Sequence, residues 1–211
     1  VEEVLEGLAI QSGEFYIDGT VGGGGHAEAI LEASAPRGRV LGIDRDPEAI
    51  EASRRRLTPF GERVSIVRGN YSSAGRIAEQ CEDASEVDGL LIDAGVSSHQ
   101  LDAAERGFSL QQEGPLDMRM GPEAERLDTY LERVRPDQLA DVLREYGDLS
   151  SADRLARAII EAVERGDVET TTDLADVVAS VPIPTRKGVR ASTLVFQALR
   201  IELNRELDHL R

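Results

Sequence analysis

The sequence has no tryptophan, one cysteine, two methionines and three histidines. A lone Cys81 excludes an internal disulfide, and with only His26, His99 and His209 beside it no cysteine–histidine zinc cluster can be assembled. No metal site is assigned, although a carboxylate-bound magnesium stays open. No stretch approaches the roughly 18 uninterrupted apolar residues of a membrane span. Val1-Glu2-Glu3 is not the basic start of a signal peptide. A soluble, cytoplasmic protein with no membrane partner is therefore expected. Positive charge is also scarce: 24 lysines and arginines face 40 aspartates and glutamates, a net charge of −16. Any polyanion must be gripped locally, not over the whole surface. What is present, 40% hydrophobic and 30% charged residues over a length of 211, describes a folded globule with an aliphatic core. At about 150 residues per domain, one to two domains are expected.

The first half alternates short β-rich runs with helix-like segments. Phe15-Tyr16-Ile17 ends at Asp18, Val40 to Ile43 at Asp44, Val64 to Val67 near Gly69, and Gly89 to Ile92 at Asp93. Pro47 to Leu57 reads as an intervening helix, with proline in its first turn. Strand and helix in alternation predict an α/β fold whose parallel sheet is covered on both faces. Ligands of such sheets sit beyond the carboxyl ends of the strands, where Asp18, Asp44 and Asp93 should gather on one rim. A single aspartate there could merely cap a helix. Three together favour a site.

After about residue 118 the pattern is helix after helix. Leu139, Val142, Leu143 and Tyr146 fall at i, i+3, i+4 and i+7, as do Leu174, Val177, Val178 and Val181. Leu155, Ile159 and Val163 recur at every fourth position up to a stop at Gly166. Phe196, Leu199, Leu203, Leu207 and Leu210 predict a last amphipathic helix, expected to return to the α/β layer as a cover.

The densest signal is Asp18-Gly-Thr-Val-Gly-Gly-Gly-Gly-His26, between the first strand and a helix starting near His26. Glycines admit positive φ and let a ligand touch the N–H groups of a helix start. Gly22, Gly24 and Ala27 satisfy G-x-G-x-x-A, with Asp44 about twenty residues on at the end of the second strand. This arrangement holds an adenosine ribose and by itself fits NAD and S-adenosylmethionine equally. The surrounding charge separates them. A pyrophosphate sits badly among three carboxylates, whereas a sulfonium with an ammonium group is attracted. Tyr71, after the third strand, is placed to flank the adenine, or else packs as ordinary rim.

Longer blocks stand in order along the chain: Asp18 to His26, Gly42 to Pro47, Asp93-Ala-Gly-Val-Ser-Ser-His-Gln-Leu-Asp102, Arg106 to Ser109 and Gly114-Pro-Leu-Asp-Met-Arg-Met120. Together with Tyr146-Gly147, Ala156 to Ile159 and Phe196 to Ile201, they resemble the bacterial 16S ribosomal RNA cytosine-N4 methyltransferase family. The resemblance runs nearly end to end. It implies a class I methyltransferase fold, Rossmann-like with a mostly parallel sheet, interrupted by a small all-helical substrate domain. The boundaries expected are 1–112 with 195–211 for the donor-binding domain and 113–194 for the insertion. S-adenosylmethionine is carried over to Gly24, Gly25, His26, Asp44, Tyr71, Asp93 and Gln100, the last on likeness alone. The partner implied is 16S ribosomal RNA in the small subunit or its precursor, and a homodimer is left open.

For the reaction, the sequence points to Asp93 with Ser97 and Ser98 as the groups that orient the substrate amine. The alternative is that the two serines are plain turn residues. Phe108 either stacks on RNA or is buried beneath its loop, while Arg106 and Arg119 either meet phosphate or pair with acids. The stretch from Val177 to Ile201 has no acid yet carries Arg186, Lys187, Arg190 and Arg200, and is the candidate RNA contact. Two departures from the family stand out. Arg190-Ala-Ser-Thr-Leu194 replaces the usual His-Pro-Ala-Thr-Arg. The family pattern also begins slightly earlier and continues past the last helix into further strands; if these 211 residues were the whole protein, the sheet would lack its last strands and the fourth or fifth strand would be an exposed edge. Three rivals stay open: a methyltransferase of the same fold acting on DNA or another amine, a non-catalytic donor-binding protein, and an NAD-dependent oxidoreductase, which lacks an obvious hydride-transfer constellation.

Overall fold

Phe15–Asp18 (β1), Arg39–Asp44 (β2), Val64–Arg68 (β3) and Gly89–Leu91 (β4) pair in parallel, in the order β3-β2-β1-β4. These are the four runs rich in β-branched and aliphatic residues, with β4 one residue shorter than the pattern predicts. The computed structural model describes residues 1–81, 86–184 and 188–210, and of Ser98 and His99 the backbone alone. The chain divides into two compact units, Val1–Ser97 with Asp208–Arg211, and Ser98–Leu207.

In the first unit the helices are α1 (Glu2–Leu8), α2 (Gly25–Ala33), α3 (Pro47–Leu57) and α4 (Ala74–Glu79). Successive side chains of a strand point to opposite faces, and both faces are covered. Tyr16 and Val40 pack with Ala27, Ile30 and Leu31 of α2, Ile50 and Leu57 of α3, and Leu5 and Leu8 of α1. Phe15, Ile17, Leu41 and Ile43 pack with Ala74 and Ala78 of α4. α3 starts where the sequence predicts: Pro47 occupies the first turn and the Asp46 carboxylate accepts the Glu48 N–H at 3.0 Å. β4 is at the sheet edge, and its Leu90 is 47% exposed.

The second unit contains α5 (Ser98–Asp102), α6 (Leu127–Arg133), α7 (Pro136–Gly147), α8 (Ala152–Glu164), α9 (Thr171–Ser180) and α10 (Ala191–Asn204). α7 packs on α8 and α10, and α9 packs on the same two. On α8 the buried face is Ala152, Leu155, Ala156, Ile159 and Ile160, so alanines complete a stripe that the larger residues only outline. α9 begins at a reciprocal cap: the Asp173 N–H donates to Thr170 Oγ1 at 3.2 Å, and the Thr170 N–H donates to Asp173 Oδ2 at 2.8 Å.

The last helix departs from expectation in two ways. It ends at Asn204, with Arg205 in the left-handed region (φ 50°) and the Arg205 and Glu206 N–H groups donating back to Glu202 and Ile201. Leu207 and Leu210 therefore lie off the helix and are exposed. Its partners, moreover, are α7, α9 and α6 in the helical unit. The reason is polar as well as apolar. Buried Asn204 accepts the Met120 N–H at 2.8 Å and donates to the Met118 carbonyl at 2.9 Å, tying α10 to the 114–120 loop.

That loop is closed by glycine. A Cβ on Gly114 would overlap the Ala104 carbonyl oxygen, and Thr171 Oγ1 accepts the Gly114 N–H at 3.1 Å. Backbone cannot give way as a side-chain tip can, so Gly114→Ala is expected to destabilise the protein by about 1–3 kcal/mol, as overpacking does. Urea unfolding checks this as a lower midpoint with an unchanged slope.

Candidate functional site

At the end of β1 the chain turns into a glycine bend that its neighbours hold by the backbone. The Thr20 N–H donates to Asp18 Oδ1 (3.2 Å), the Val21 N–H to the Ile43 carbonyl (2.9 Å) and the Gly22 N–H to Asp44 Oδ2 (2.9 Å). Asp44 Oδ1 accepts the Asp46 N–H at 2.9 Å, so this carboxylate ties the bend to the end of β2. Gly22 (φ 50°) and Gly24 (φ 84°) occupy the left-handed region that only glycine enters freely. Gly24 is also the N-cap of α2, which has no side-chain cap, leaving helix-start N–H groups directed at the bend. No atom lies within 4 Å of a Cβ placed on Gly23, so that side of the bend is open.

In the order β3-β2-β1-β4 the connections reverse direction between β1 and β4, which is where an open α/β sheet has its crevice. Asp18 and Asp93 stand at these two strand ends. The Asp93 N–H donates to Thr20 Oγ1 at 2.8 Å, and Asp93 Oδ2 lies 3.8 Å from His26 Nδ1. Tyr71 reaches the base of the bend because residue 19 is glycine: a Cβ there would come within 2.9 Å of Tyr71 Cβ. On its other side Tyr71 meets the His209 ring edge-on, with centroids 6.3 Å apart.

Asp18 is fully buried, and among the described residues its Oδ2 has no hydrogen-bond partner. Burial pushes its carboxyl up to about 7, against the opposing pull of the Thr20 and Ala27 N–H groups and with added repulsion from Asp44 and Asp93. Burial also raises Asp44, offset by the N–H groups of Asp46 and Gly22. Acids so displaced in a cleft mark a site built for something that compensates their charge.

Gly24, Gly25, His26, Asp44, Tyr71 and Asp93 thus lie on or around one bend. Gln100 is buried on α5 in the second unit. Ser97 is half-buried just before it, and the Ser98 side chain lies outside the described residues. Arg186 and Lys187 lie outside them too. Arg190 is exposed, whereas Arg200 is half-buried and bound to Glu206 through two contacts of 2.8 and 3.2 Å. Phe108, Met118 and Met120 are buried, so they are core and not a stacking surface. Arg119 pairs with Asp117 (2.7 and 2.9 Å), and Arg106 donates to the Arg119 carbonyl. The sequence reading missed Thr20, Gly19 and His209. A threonine two residues past a strand-end aspartate was the available signal for the first; nothing local points to the contact of His209 with Tyr71.

The sequence pattern of the MraW methylase family matches residues 1–211. The chain belongs to this family. A ribosomal RNA small subunit methyltransferase H of Syntrophotalea carbinolica is 49% identical over 215 residues, spanning all of this chain and 68% of that protein. Its counterpart in Syntrophus aciditrophicus is 47% identical over 217 residues (100% and 67%), and that of Heliobacterium mobile 42% over 214 (100% and 69%). The MraW-family chain thus spans about two thirds of the length of these relatives. Its sheet order, its glycine bend and its helical second unit agree with a Rossmann-like methyltransferase fold.

The Asp18 carboxyl sets a pH dependence on this MraW-family chain. A group held above its ordinary 3.8 stabilises the fold fully below that value and loses the contribution as pH rises through about 7. Asp18→Asn, which cannot ionise, should therefore be more stable than the parent at pH 8 by up to about 4 kcal/mol, and by much less at pH 5. Thermal unfolding at both pH values is the measurement; a difference independent of pH would refute the assignment.

Proposed function

We propose that this chain binds S-adenosylmethionine at the glycine bend and transfers its methyl group to the exocyclic N4 of a cytosine in 16S ribosomal RNA. The observation that carries the reading is the bend itself, flanked at the sheet's switch point by the strand-end carboxylates of Asp18, Asp44 and Asp93. The residues fit the donor chemically. An unpartnered buried carboxyl oxygen and a rim of acids suit a cation, and the uncapped start of α2 suits the donor's own carboxylate. The open side of Gly23 leaves room for it. Membership of the MraW family and relatives named as ribosomal RNA small subunit methyltransferases support the substrate class.

Gly24, Gly25 and His26 would hold the amino-acid end of the donor, Asp44 the ribose and Tyr71 the adenine edge, with Asp93 completing the set in this unit; Gln100 is proposed on the family resemblance alone. The Asp44 carboxylate accepts backbone N–H groups from Gly22, Asp46 and Arg45, and a carboxylate offers about four acceptor sites, so capacity remains for a ribose hydroxyl. The bound donor supplies an electrophilic methyl on positive sulfur. The residues of the chain must then handle the amine, whose lone pair is drawn into the cytosine ring. Hydrogen-bond acceptors aimed at its two protons orient that lone pair and offset the positive charge it gains. Asp93, two-thirds exposed at the strand end, and the following segment to Ser97 and Ser98 are assigned this role. A stacked base cannot reach such a rim, so the target cytosine is unpaired or splayed out of its helix.

Calorimetry with S-adenosylmethionine and with NADH should give binding of the first alone. A tritiated-methyl assay should then label small ribosomal subunits or their free RNA, and not DNA. Asp93→Ala is expected to lower transfer at least a hundredfold, the scale on which positioned acceptors act. Loss of donor binding alongside assigns Asp93 to the donor, and loss of transfer alone assigns it to the amine. Uptake of NADH with indifference to S-adenosylmethionine would overturn the reading.

A further inference from the structure

β1 and β4 pair through Tyr16↔Gly89, Ile17↔Leu90 and Asp18↔Leu91, and the last backbone rung is the Gly19 N–H to the Leu91 carbonyl at 2.8 Å. Beyond it a parallel ladder would offer a backbone carbonyl to the Asp93 N–H. None is available, because β1 has turned away into the glycine bend. The Thr20 hydroxyl oxygen takes that N–H instead, at 2.8 Å. Thr20 is anchored in turn, its own N–H donating to the fully buried Asp18 at 3.2 Å. Asp93, Ala94 and Gly95 are all exposed, so side-chain packing does little to fix the chain where it leaves β4.

We propose that Thr20 is a positioning residue for Asp93: its hydroxyl replaces the missing ladder carbonyl and holds the end of β4 so that the Asp93 carboxylate faces the glycine bend and His26. The proposal rests on the reading of the bend as the donor site and deepens it. It assigns to the threonine no contact with donor or amine. The side chain acts through one backbone N–H, and needs an oxygen at that place, not its methyl group.

The test is calorimetric titration of S-adenosylmethionine into Thr20→Val, which keeps the shape and removes the oxygen, and into Thr20→Ser, which keeps the oxygen. Loss of one net hydrogen bond predicts a Kd raised about three- to tenfold in Thr20→Val. Thr20→Ser should bind like the parent. In an Asp93→Ala background, Thr20→Val should add nothing, since its effect passes through the carboxylate that has been removed. If Thr20→Val does not fold, Thr20→Ala carries the same expectation. The proposal is overturned if Thr20→Val binds like the parent while Asp93→Ala is weakened, or if its penalty persists unchanged without the Asp93 carboxylate. Parent-like binding by Asp93→Ala would instead remove the donor role of Asp93, and this proposal with it. A parent that binds no S-adenosylmethionine would end the donor reading altogether.

Discussion

A run of four glycines can hold one shape only if something outside it imposes that shape. Each ordered backbone costs about 1–2 kcal/mol in entropy, and glycine loses the most. In this chain the shape comes from acids at the ends of adjacent strands: Asp18 takes the Thr20 N–H and Asp44 takes the Gly22 N–H, while Gly24 passes the chain into α2. Hydrogen bonds to charged groups contribute about 1.5–3 kcal/mol each. Asp44 is such an acceptor, and the Val21 N–H on the Ile43 carbonyl adds a neutral bond, so the bend is held from both neighbouring strand ends. The position of every other group at the site follows from this clamp.

The same clamp explains why the site is electrostatically tense. Asp18 must lie under the bend to reach Thr20, and so leaves water entirely, with one oxygen unpartnered. Repulsion from Asp44 and Asp93 adds to the desolvation. An apolar ligand would leave that tension in place, and an anionic one would raise it. A cation relieves it, and the relief is available as binding energy specific to positively charged molecules. Structural and functional roles of these acids are therefore not alternatives. The residue that shapes the loop also sets the sign of what the loop accepts.

The strands, the α2 and α3 starts and the site acids were legible in the sequence because each rests on local chemistry. A β-branched run, a proline after a capping aspartate and a strand-end acid are all read within a few residues. Three things were not. The attachment of α10 to the 114–120 loop depends on Asn204 bonding to Met118 and Met120, more than 80 residues back in the chain, which no helical periodicity encodes. Leucines at 207 and 210 continued the spacing and were misleading for that reason. The closeness of Tyr71 to the bend depends on the absence of a Cβ at Gly19, a fact about two distant residues at once. The bond from Asp93 to Thr20 belongs to the sheet order and becomes visible only when β4 is known to lie beside β1. The pairing of Arg200 with Glu206 was also hidden, because Glu206 lies beyond the acid-free stretch and returns to Arg200 around the left-handed turn at Arg205.

On the proposed function, a cationic donor and a polyanionic substrate make opposite demands on one surface, and an acid excess of sixteen charges meets only the first directly. Many of the arginines are engaged within the protein: Arg119 and Arg126 share Asp117, Arg133 holds Glu125, and Arg144 bridges Asp141 and Asp153. Exposed pairs of this kind contribute little to stability, about 0–1 kcal/mol. The pairs on Asp117, which is only 15% exposed, are less dispensable, because freeing either arginine for phosphate would leave a largely buried carboxylate beside another anion. Fewer counterions are then released than a freely basic surface would release, and the affinity for RNA depends less steeply on salt. On the proposed reading, such a protein gains little from non-specific attraction to nucleic acid. Selection among RNAs then falls to shape and to the presentation of an unstacked base, which is how structured RNA differs from the bulk polyanion around it.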